Sequence, residues 1–450
     1  MLPGAQANAP KRIPGYENSP VRGTELRSRI LVLWRSVGIR QGLIMSAAMI
    51  LAGALDYLVN VLAGRWLQPA EYGVFVSIAA ILQVMLYMSI AIRNIVAFYS
   101  AELSVEDKSL NRVGVFVQRA WRWAWRWGLV ATAVMVTASP ALTRALQIQS
   151  VWPLWAATLG LFLLFLRPIT DGALQGMQLF NGLGMVQVTQ ALFRFLFACG
   201  LVWLGLQSTG AIVAFPLGST VALGLALWLL RPRFRDRGGR DREISLHYSV
   251  HTLLGLATFA LLTNLDALFV KRFFSPHVAG NYGAVVTLAK ISLFLPIAMG
   301  MVLFPKATQR QASGRDARPI LLLSLAAAVL PGLAVTAFYF LFPGELVGAL
   351  FTNAYSNPGI LLGMANLAAS LYAGLNIWLN FALSQERPAF IYAVIGVFFW
   401  QGIGMYIFGR ENLFYMTAVM VSAGVIGNVA GFVTTWSPVP KPKTAVLVAQ

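Results

Sequence analysis

Long uncharged runs are the feature that most limits what this chain can fold into. A helix needs about 20 apolar residues to cross the roughly 30 Å hydrocarbon core of a bilayer. Because 58% of the residues are hydrophobic and only 11% are charged, too little polar surface remains to cover a water-soluble protein of this length. The sequence therefore predicts an all-α integral membrane protein with about twelve transmembrane helices. The predicted spans are residues 40–63, 72–100, 120–139, 151–167, 182–206, 210–230, 248–270, 280–304, 319–342, 358–383, 388–408 and 412–435.

The positions of the basic residues predict the orientation of these spans. Cytoplasmic segments of membrane proteins collect Lys and Arg. If the N-terminus is cytoplasmic, most of the 34 Lys and Arg residues fall in cytoplasmic segments, including six arginines in residues 231–242. We therefore predict that both termini are cytoplasmic, and that the net charge of +18 reflects this topology and not nucleic-acid binding. Since residues 1–38 contain no apolar core, the first span is expected to direct membrane insertion.

One stretch of the sequence occurs twice, which predicts two related halves. Leu-Asp followed by a turn with Pro and Tyr-Gly occurs around Asp56 and Tyr72, and again 210 residues later around Asp266 and Tyr282. Six spans return the chain to its starting side, so the halves have the same orientation, as in alternating-access transporters. We expect two six-helix lobes around a central cavity. The predicted units are a basic cytoplasmic leader (1–38), an N-terminal lobe (39–230), an Arg-rich linker (231–246), a C-terminal lobe (247–436) and a cytoplasmic tail (437–450).

Tryptophan and arginine alternate at residues 121–127, where the third span begins. Tryptophans stack on sugars, but at a helix entrance they more often anchor the helix at the membrane interface. We interpret this segment as an interfacial anchor.

Sequence signatures of enzymes are missing. No phosphate-binding loop, zinc-protease motif or nucleophile elbow occurs, and the three histidines offer too few ligands for a metal site. The segments outside the predicted spans are also too short for the acceptor domain of a membrane glycosyltransferase. We therefore predict that the protein is not an enzyme and needs no cofactor.

Apart from the interfacial anchor and the first or last residue of a span, five charged residues lie inside the predicted spans: Asp56, Arg93, Arg194, Asp266 and Lys290. A charge at the bilayer centre costs at least about 2.5–3.5 kcal/mol, so these side chains should face a protein interior or a wet cavity. The three cations suit an anionic substrate, since guanidinium groups bind phosphate. The two aspartates occupy equivalent positions in the repeat and could balance these cations or couple transport to an H+ or Na+ gradient. For each residue, structural pairing is the alternative.

Four short motifs resemble bacterial oligosaccharide and polysaccharide flippases, a branch of the superfamily that also contains multidrug extruders and lipid II flippases. Residues 64–73 resemble the Gly-Arg-x-Leu-x-Pro-x-Glu-Tyr-Gly turn that follows the first helix of these flippases. Residues 174–180 resemble their Leu-Gln-Gly-x-Gln-x-Phe element, and residues 279–283 and 303–305 resemble two motifs around the eighth helix. The resemblance implies translocation of an undecaprenyl-diphosphate-linked oligosaccharide across the bacterial inner membrane.

From the resemblance and the intramembrane charges, we predict a flippase in which Arg93, Arg194 and Lys290 bind the substrate and Asp56 and Asp266 provide coupling or charge balance. The expected partners are the lipid-linked glycan, membrane lipids, a polysaccharide polymerase and glycosyltransferases. A multidrug exporter is the first alternative, although cationic drugs would require acidic residues in the cavity. A membrane glycosyltransferase and a structural scaffold within an export complex are further alternatives.

Overall fold

The computed structural model describes residues 37–106, 111–231, 246–293, 316, 318–352, 354–385 and 388–436. Nearly all of the predicted leader and linker, and the predicted tail, lie outside these residues, as does the second part of the predicted span 280–304. The described residues form helices joined by short connections. These helices are α1 (Val37–Trp66), α2 (Pro69–Glu106), α3 (Asn111–Ala145), α4 (Trp152–Gly176), α5 (Phe180–Leu201), α6 (Gln207–Leu230), α7 (Leu246–Leu262), α8 (Leu265–Phe273), α9 (Pro276–Ala289), α10 (Arg318–Leu341), α11 (Pro343–Leu350), α12 (Ile360–Ser384), α13 (Pro388–Phe408) and α14 (Leu413–Trp436).

The helices confirm a multi-pass membrane protein. Within the described part of the chain, nine helical segments are long and apolar enough to cross a membrane, or ten if the bent pair α7 and α8 counts as one span. One of the nine, residues 180–230, contains both α5 and α6, which are separated by a π-helical turn with Gly205 at φ 84°. A Cβ atom at Gly218 of α6 would lie 2.7 Å from the backbone nitrogen of Arg194 of α5, so the two helices pack closely side by side. The structure is therefore consistent with about twelve spans.

The predicted end of the fourth span at Arg167 is wrong. Helix α4 continues through Pro168 to Gly176. A proline inside a helix removes one backbone hydrogen bond, but in a membrane the neighbouring helices compensate for this loss. Here the second part of α4 packs tightly on α2, because a Cβ atom at Gly172 would lie 2.6 Å from the Arg93 carbonyl oxygen. This close packing keeps Arg167 and the residues that follow it inside the bundle.

Helix α2 connects the two halves of the bundle. It packs on α4 in the N-terminal half and on α7, α8 and α9 in the C-terminal half. One apolar core lies entirely within residues 96–230, and a larger one extends from α2 to the helices of the C-terminal half. The predicted lobe boundaries at residues 230 and 247 stay a prediction.

The seventh predicted span is broken in its middle. Helices α7 and α8 meet at Thr263 and Asn264 with a bend of 42°. The corresponding position of the first half lies within the continuous helix α1. A break inside a membrane exposes backbone groups that need other partners, and such breaks are tolerated where protein or water supplies them. The duplicated sequence thus gives two different local structures.

Candidate functional site

The two copies of the repeated sequence pack against each other. Gly73 of α2 faces Gly280 of α9, and a Cβ atom at Gly73 would lie 3.0 Å from the Gly280 backbone nitrogen. A methyl group at Gly280 would overlap the carbonyl oxygen of Pro69. Tyr72 and Thr287 share a buried hydrogen bond of 2.6 Å. We call this contact, around the α1–α2 turn, the closed end of the bundle.

Aromatic residues after α11 cover the closed end. Phe351 packs on Gly64, and its ring lies 5.7 Å from that of Tyr72, while the Tyr355 ring lies 6.0 Å from it. The Tyr355 hydroxyl donates a hydrogen bond of 3.3 Å to the Leu67 carbonyl oxygen. Because these contacts join residues from opposite halves, separating the halves at this end would require all of them to break.

Lys290 and Asp266 lie at the break between α7 and α8. The Lys290 ammonium donates hydrogen bonds to the side-chain oxygens of Asn264 (2.7 Å) and Gln83 (3.1 Å). Asp266 is buried and accepts a hydrogen bond of 2.9 Å from the Tyr282 hydroxyl. Lys290 and Asp266 are within electrostatic range of each other. The oxygen Oδ1 of Asp266 has no hydrogen-bond partner among the described residues.

Two further polar residues stabilise the break itself. The Gln401 side chain donates a hydrogen bond of 2.9 Å to the Leu262 carbonyl oxygen, which is the last of α7. The Tyr372 hydroxyl in turn donates to the Gln401 oxygen at 2.7 Å. A buried carbonyl without a partner is costly in an apolar environment. Gln401, which accepts a hydrogen bond from Tyr372, provides the Leu262 carbonyl with the hydrogen bond that the broken helix does not.

A small cavity adjoins this cluster. Its volume is about 20 Å³, and Asp266, Lys290, Thr263 and Tyr372 contribute to its lining. Such a volume is enough for one water molecule, and the polar groups around it can bind one. It is far too small for an oligosaccharide, so a central cavity of substrate size stays a prediction.

Arg194 and Asp56 form a second pair, in the N-terminal half. The Arg194 guanidinium donates to the Asp56 carboxylate at 2.8 Å, and its carbon Cζ lies 5.6 Å from the centre of the Phe215 ring. The two side chains are 15% and 35% exposed, respectively. Asp56 is therefore only partly covered by the packed helices.

Arg93 belongs to a third group, together with residues from α4 and α5. It lies within electrostatic range of Asp171 and Arg167. Arg167 donates to Asp171 at 2.9 Å, across one turn of α4. Gln187 also donates to Asp171, at 3.2 Å. With two arginines around one carboxylate, this group carries an excess positive charge.

The structure thus places the five predicted site residues in three separate groups and not in one. Each cation lies near an acidic residue, and no hydrogen bond or ion pair among the described residues connects the three cations to one another. Sequence reasoning named Tyr282 only as part of the repeat and missed three other polar residues of the Lys290 group, which are Gln83, Tyr372 and Gln401. Each lies within a predicted span, where a polar side chain needs a partner.

Comparison with known protein families identifies the family of this chain. The family described as "Polysaccharide biosynthesis protein" matches residues 39–311, which is more than half of the chain. The chain belongs to this family. The match includes α1 to α9, the closed end and all five predicted site residues. No curated protein sequence matches the chain.

Solved structures show the fold of this family member. It is similar to an inward-facing multidrug resistance transporter of the MOP superfamily, with a TM-score of 0.63 and 14% identity over 86% of this chain and 96% of that one. It is also similar to the lipid II flippase MurJ in an inward closed conformation, with a TM-score of 0.65 and 11% identity over 88% of each chain. A MOP-superfamily transporter from Pyrococcus furiosus has a TM-score of 0.53 and 16% identity over 87% of this chain and 94% of that one. The polysaccharide biosynthesis protein therefore has the fold of these transporters.

Proposed function

We propose that this protein is a flippase that moves an undecaprenyl-diphosphate-linked oligosaccharide across the bacterial inner membrane. The observation that carries this proposal is the excess of basic groups inside the bundle of a polysaccharide biosynthesis protein. Arg93 and Arg194 lie in helices long enough to cross the membrane, and Lys290 directly follows α9 inside a predicted span, where a cation is costly unless it has a function or a partner. A diphosphate is an anionic group that guanidinium and ammonium side chains bind well. Transport and not catalysis is the proposed activity.

The pairing of these cations with carboxylates suits a substrate whose phosphates replace the carboxylates when it binds. In the described conformation each cation is near a carboxylate: Arg194 contacts Asp56, and Arg93 is close to Asp171. A diphosphate entering the bundle would compete with these carboxylates for the guanidinium groups. Because the carboxylates offset part of this positive charge while the site is empty, the bundle carries less unpaired buried charge between transport cycles.

The Lys290 group is the proposed coupling element. Asp266 has one oxygen without a partner, borders the small cavity and lies at the break between α7 and α8. Binding of H+ or Na+ to this carboxylate would weaken its attraction to Lys290. Lys290 also donates a hydrogen bond to Gln83 of α2, the helix that connects the two halves. A weaker attraction between Asp266 and Lys290 would therefore alter the packing of one half on the other.

The proposed topology places the closed end on the periplasmic side. With cytoplasmic termini, α1 runs outward and the α1–α2 turn faces the periplasm. The proposed cycle opens the bundle first to the cytoplasm, where the lipid-linked glycan is made, and then to the periplasm. Glycosyltransferases would supply the substrate, and a polysaccharide polymerase would use the product.

Deletion of the gene tests this proposal, since we expect the lipid-linked oligosaccharide to accumulate on the cytoplasmic leaflet. Wild-type protein should restore export of the glycan, and a triple variant with Arg93, Arg194 and Lys290 changed to Gln should not. The matched control is Arg144→Gln, which removes an exposed charge at the end of α3. The measurement is surface glycan by immunoblot together with leaflet-specific labelling of the lipid intermediate. Normal export by a triple variant present at wild-type levels would contradict the role of these cations.

A multidrug exporter is the second candidate, because two of the similar structures are described as multidrug resistance transporters. Cells that overproduce the protein would clear ethidium faster than control cells if this candidate were correct. We expect no difference between them, because the unbalanced charge of the bundle is positive and would repel a cationic dye.

A further inference from the structure

Helix α3 carries basic and aromatic residues on one exposed face. Its Arg122, Trp123, Arg126 and Trp127 are all exposed. Residues three and four positions apart lie on the same side of a helix, so these four side chains form one continuous patch. The Trp123 and Trp127 rings are 6.2 Å apart. The opposite face packs on α4, where Gly128 lies against Phe162 and Phe165.

The charge of this patch has no counterpart on its own helix. No Asp or Glu occurs in α3. Arg122 and Arg126 are four residues apart, a spacing at which like charges repel each other across one turn of helix. An anion bound between them would remove this repulsion. Two guanidinium groups at this separation offer several parallel donors, which match the oxygens of a phosphate group.

The same face becomes apolar one turn later. Val130 and Val134 follow Arg126 at intervals of four residues and are 50% and 61% exposed. The patch therefore has a cationic end with tryptophans and an apolar end in a single line. A phospholipid has this arrangement, with a charged headgroup joined to acyl chains.

The length of α3 places the cationic end at the membrane surface. The helix has 35 residues, so at about 1.5 Å per residue it is roughly 50 Å long, well beyond the roughly 30 Å of the hydrocarbon core. The residues after Arg126, up to Ala145, carry only one charge, so the span occupies this part of the helix and begins later than the predicted residue 120. Arg122 and Arg126 then lie at headgroup level, where tryptophan is also favoured.

We propose that Arg122, Trp123, Arg126 and Trp127 form a binding site for an anionic phospholipid of the surrounding bilayer, with the phosphate between the arginines and an acyl chain along Val130 and Val134. This site is distinct from the transport residues, which lie inside the bundle. It would hold a structural or regulatory lipid on the outer surface of α3. The proposal does not depend on the identity of the transported substrate.

Spin-labelled lipids test the site. Wild-type protein is reconstituted with phosphatidylcholine containing a small fraction of spin-labelled phosphatidylglycerol or spin-labelled phosphatidylcholine, and the immobilised fraction is measured by electron paramagnetic resonance. We expect wild-type protein to prefer phosphatidylglycerol. The double variant Arg122→Gln/Arg126→Gln should weaken this preference about threefold to tenfold, because each cation near a membrane surface contributes to the attraction of anionic lipid. Arg144→Gln, at the other end of the same helix, should leave the preference unchanged.

A second variant keeps the test decisive if the first is poorly folded. Arg122→Lys/Arg126→Lys retains both charges but loses the parallel donors, so we expect a preference between that of wild type and that of the Gln variant. The proposal is overturned if wild-type protein holds both lipids equally, which would point to a protein partner at this face. It is also overturned if the Gln variant keeps the wild-type preference. Neither result would affect the proposed transport of a glycan.

Discussion

Gly280→Ala is expected to open the closed end of the bundle. The added methyl group would overlap the Pro69 carbonyl oxygen, which is backbone and does not move aside as a flexible side chain would. The two halves must therefore separate at this point. Separation would also break the nearby Tyr72–Thr287 hydrogen bond. We expect the variant to lose most of its population of the described conformation and, under the proposed function, most of its glycan export.

Chemical cross-linking measures this population directly. The chain has one cysteine, so Cys199→Ser gives a background without reactive thiols. Arg65→Cys and Ala349→Cys then place one exposed thiol on each side of the closed end, at positions joined by a hydrogen bond in the protein. A short bifunctional maleimide should link them. Gly280→Ala should lower the ratio of cross-linked to unlinked protein by at least about fivefold, which is the change that roughly 1 kcal/mol makes in a two-state equilibrium constant.

Gly53→Ala is the matched control for this experiment. It makes the same change within a membrane helix, but a Cβ atom at Gly53 has no neighbouring atom within 4 Å among the described residues. Cross-linking and export should both remain at wild-type levels. If Gly280→Ala also cross-links as wild type does, the contact between the repeat copies does not hold the closed end together.

The helices could be predicted from the sequence because membrane helices follow simple rules. Long apolar runs indicated every described span. The end of α4 was predicted wrongly because a proline is a poor indicator of a helix end where neighbouring helices replace the lost hydrogen bond. The break between α7 and α8 has no local sequence signal. It is stabilised by Gln401, which lies about 140 residues away in the sequence.

The sequence named candidate site residues but did not indicate how they pair. A charge inside a membrane costs free energy, so a charged residue within a predicted span stands out in the sequence. Asp56, Arg194 and Lys290 were named for this reason. Which cation meets which acid depends on how the helices pack. The repeat suggested that Asp56 and Asp266 are equivalent, but Asp56 pairs with Arg194 of α5, whereas Asp266 accepts from Tyr282 and lies near Lys290 of the α9 segment.

Variants of Lys290 and Asp266 should distinguish a structural role of these residues from a role in transport. Lys290→Met would leave the buried Asp266 charge without a nearby cation. Lys290 donates its hydrogen bonds to Asn264 and Gln83 and not directly to Asp266, so the loss is expected to cost on the order of 1–3 kcal/mol. We therefore expect a strong fall in the thermal unfolding midpoint of the purified protein in detergent, whereas Arg144→Met should have little effect because that side chain is exposed.

The double variant Lys290→Met/Asp266→Asn decides between the two roles. It removes both charges and keeps a hydrogen-bond acceptor for Tyr282, so we expect most of the lost stability to return. Export of the glycan should stay lost, because neither the cation nor the titratable carboxylate is present. Recovery of stability and export together would make the pair a structural element, and the proposed coupling role of Asp266 would be wrong. Recovery of stability alone would mean that the charges are retained for transport, since the fold does not need them.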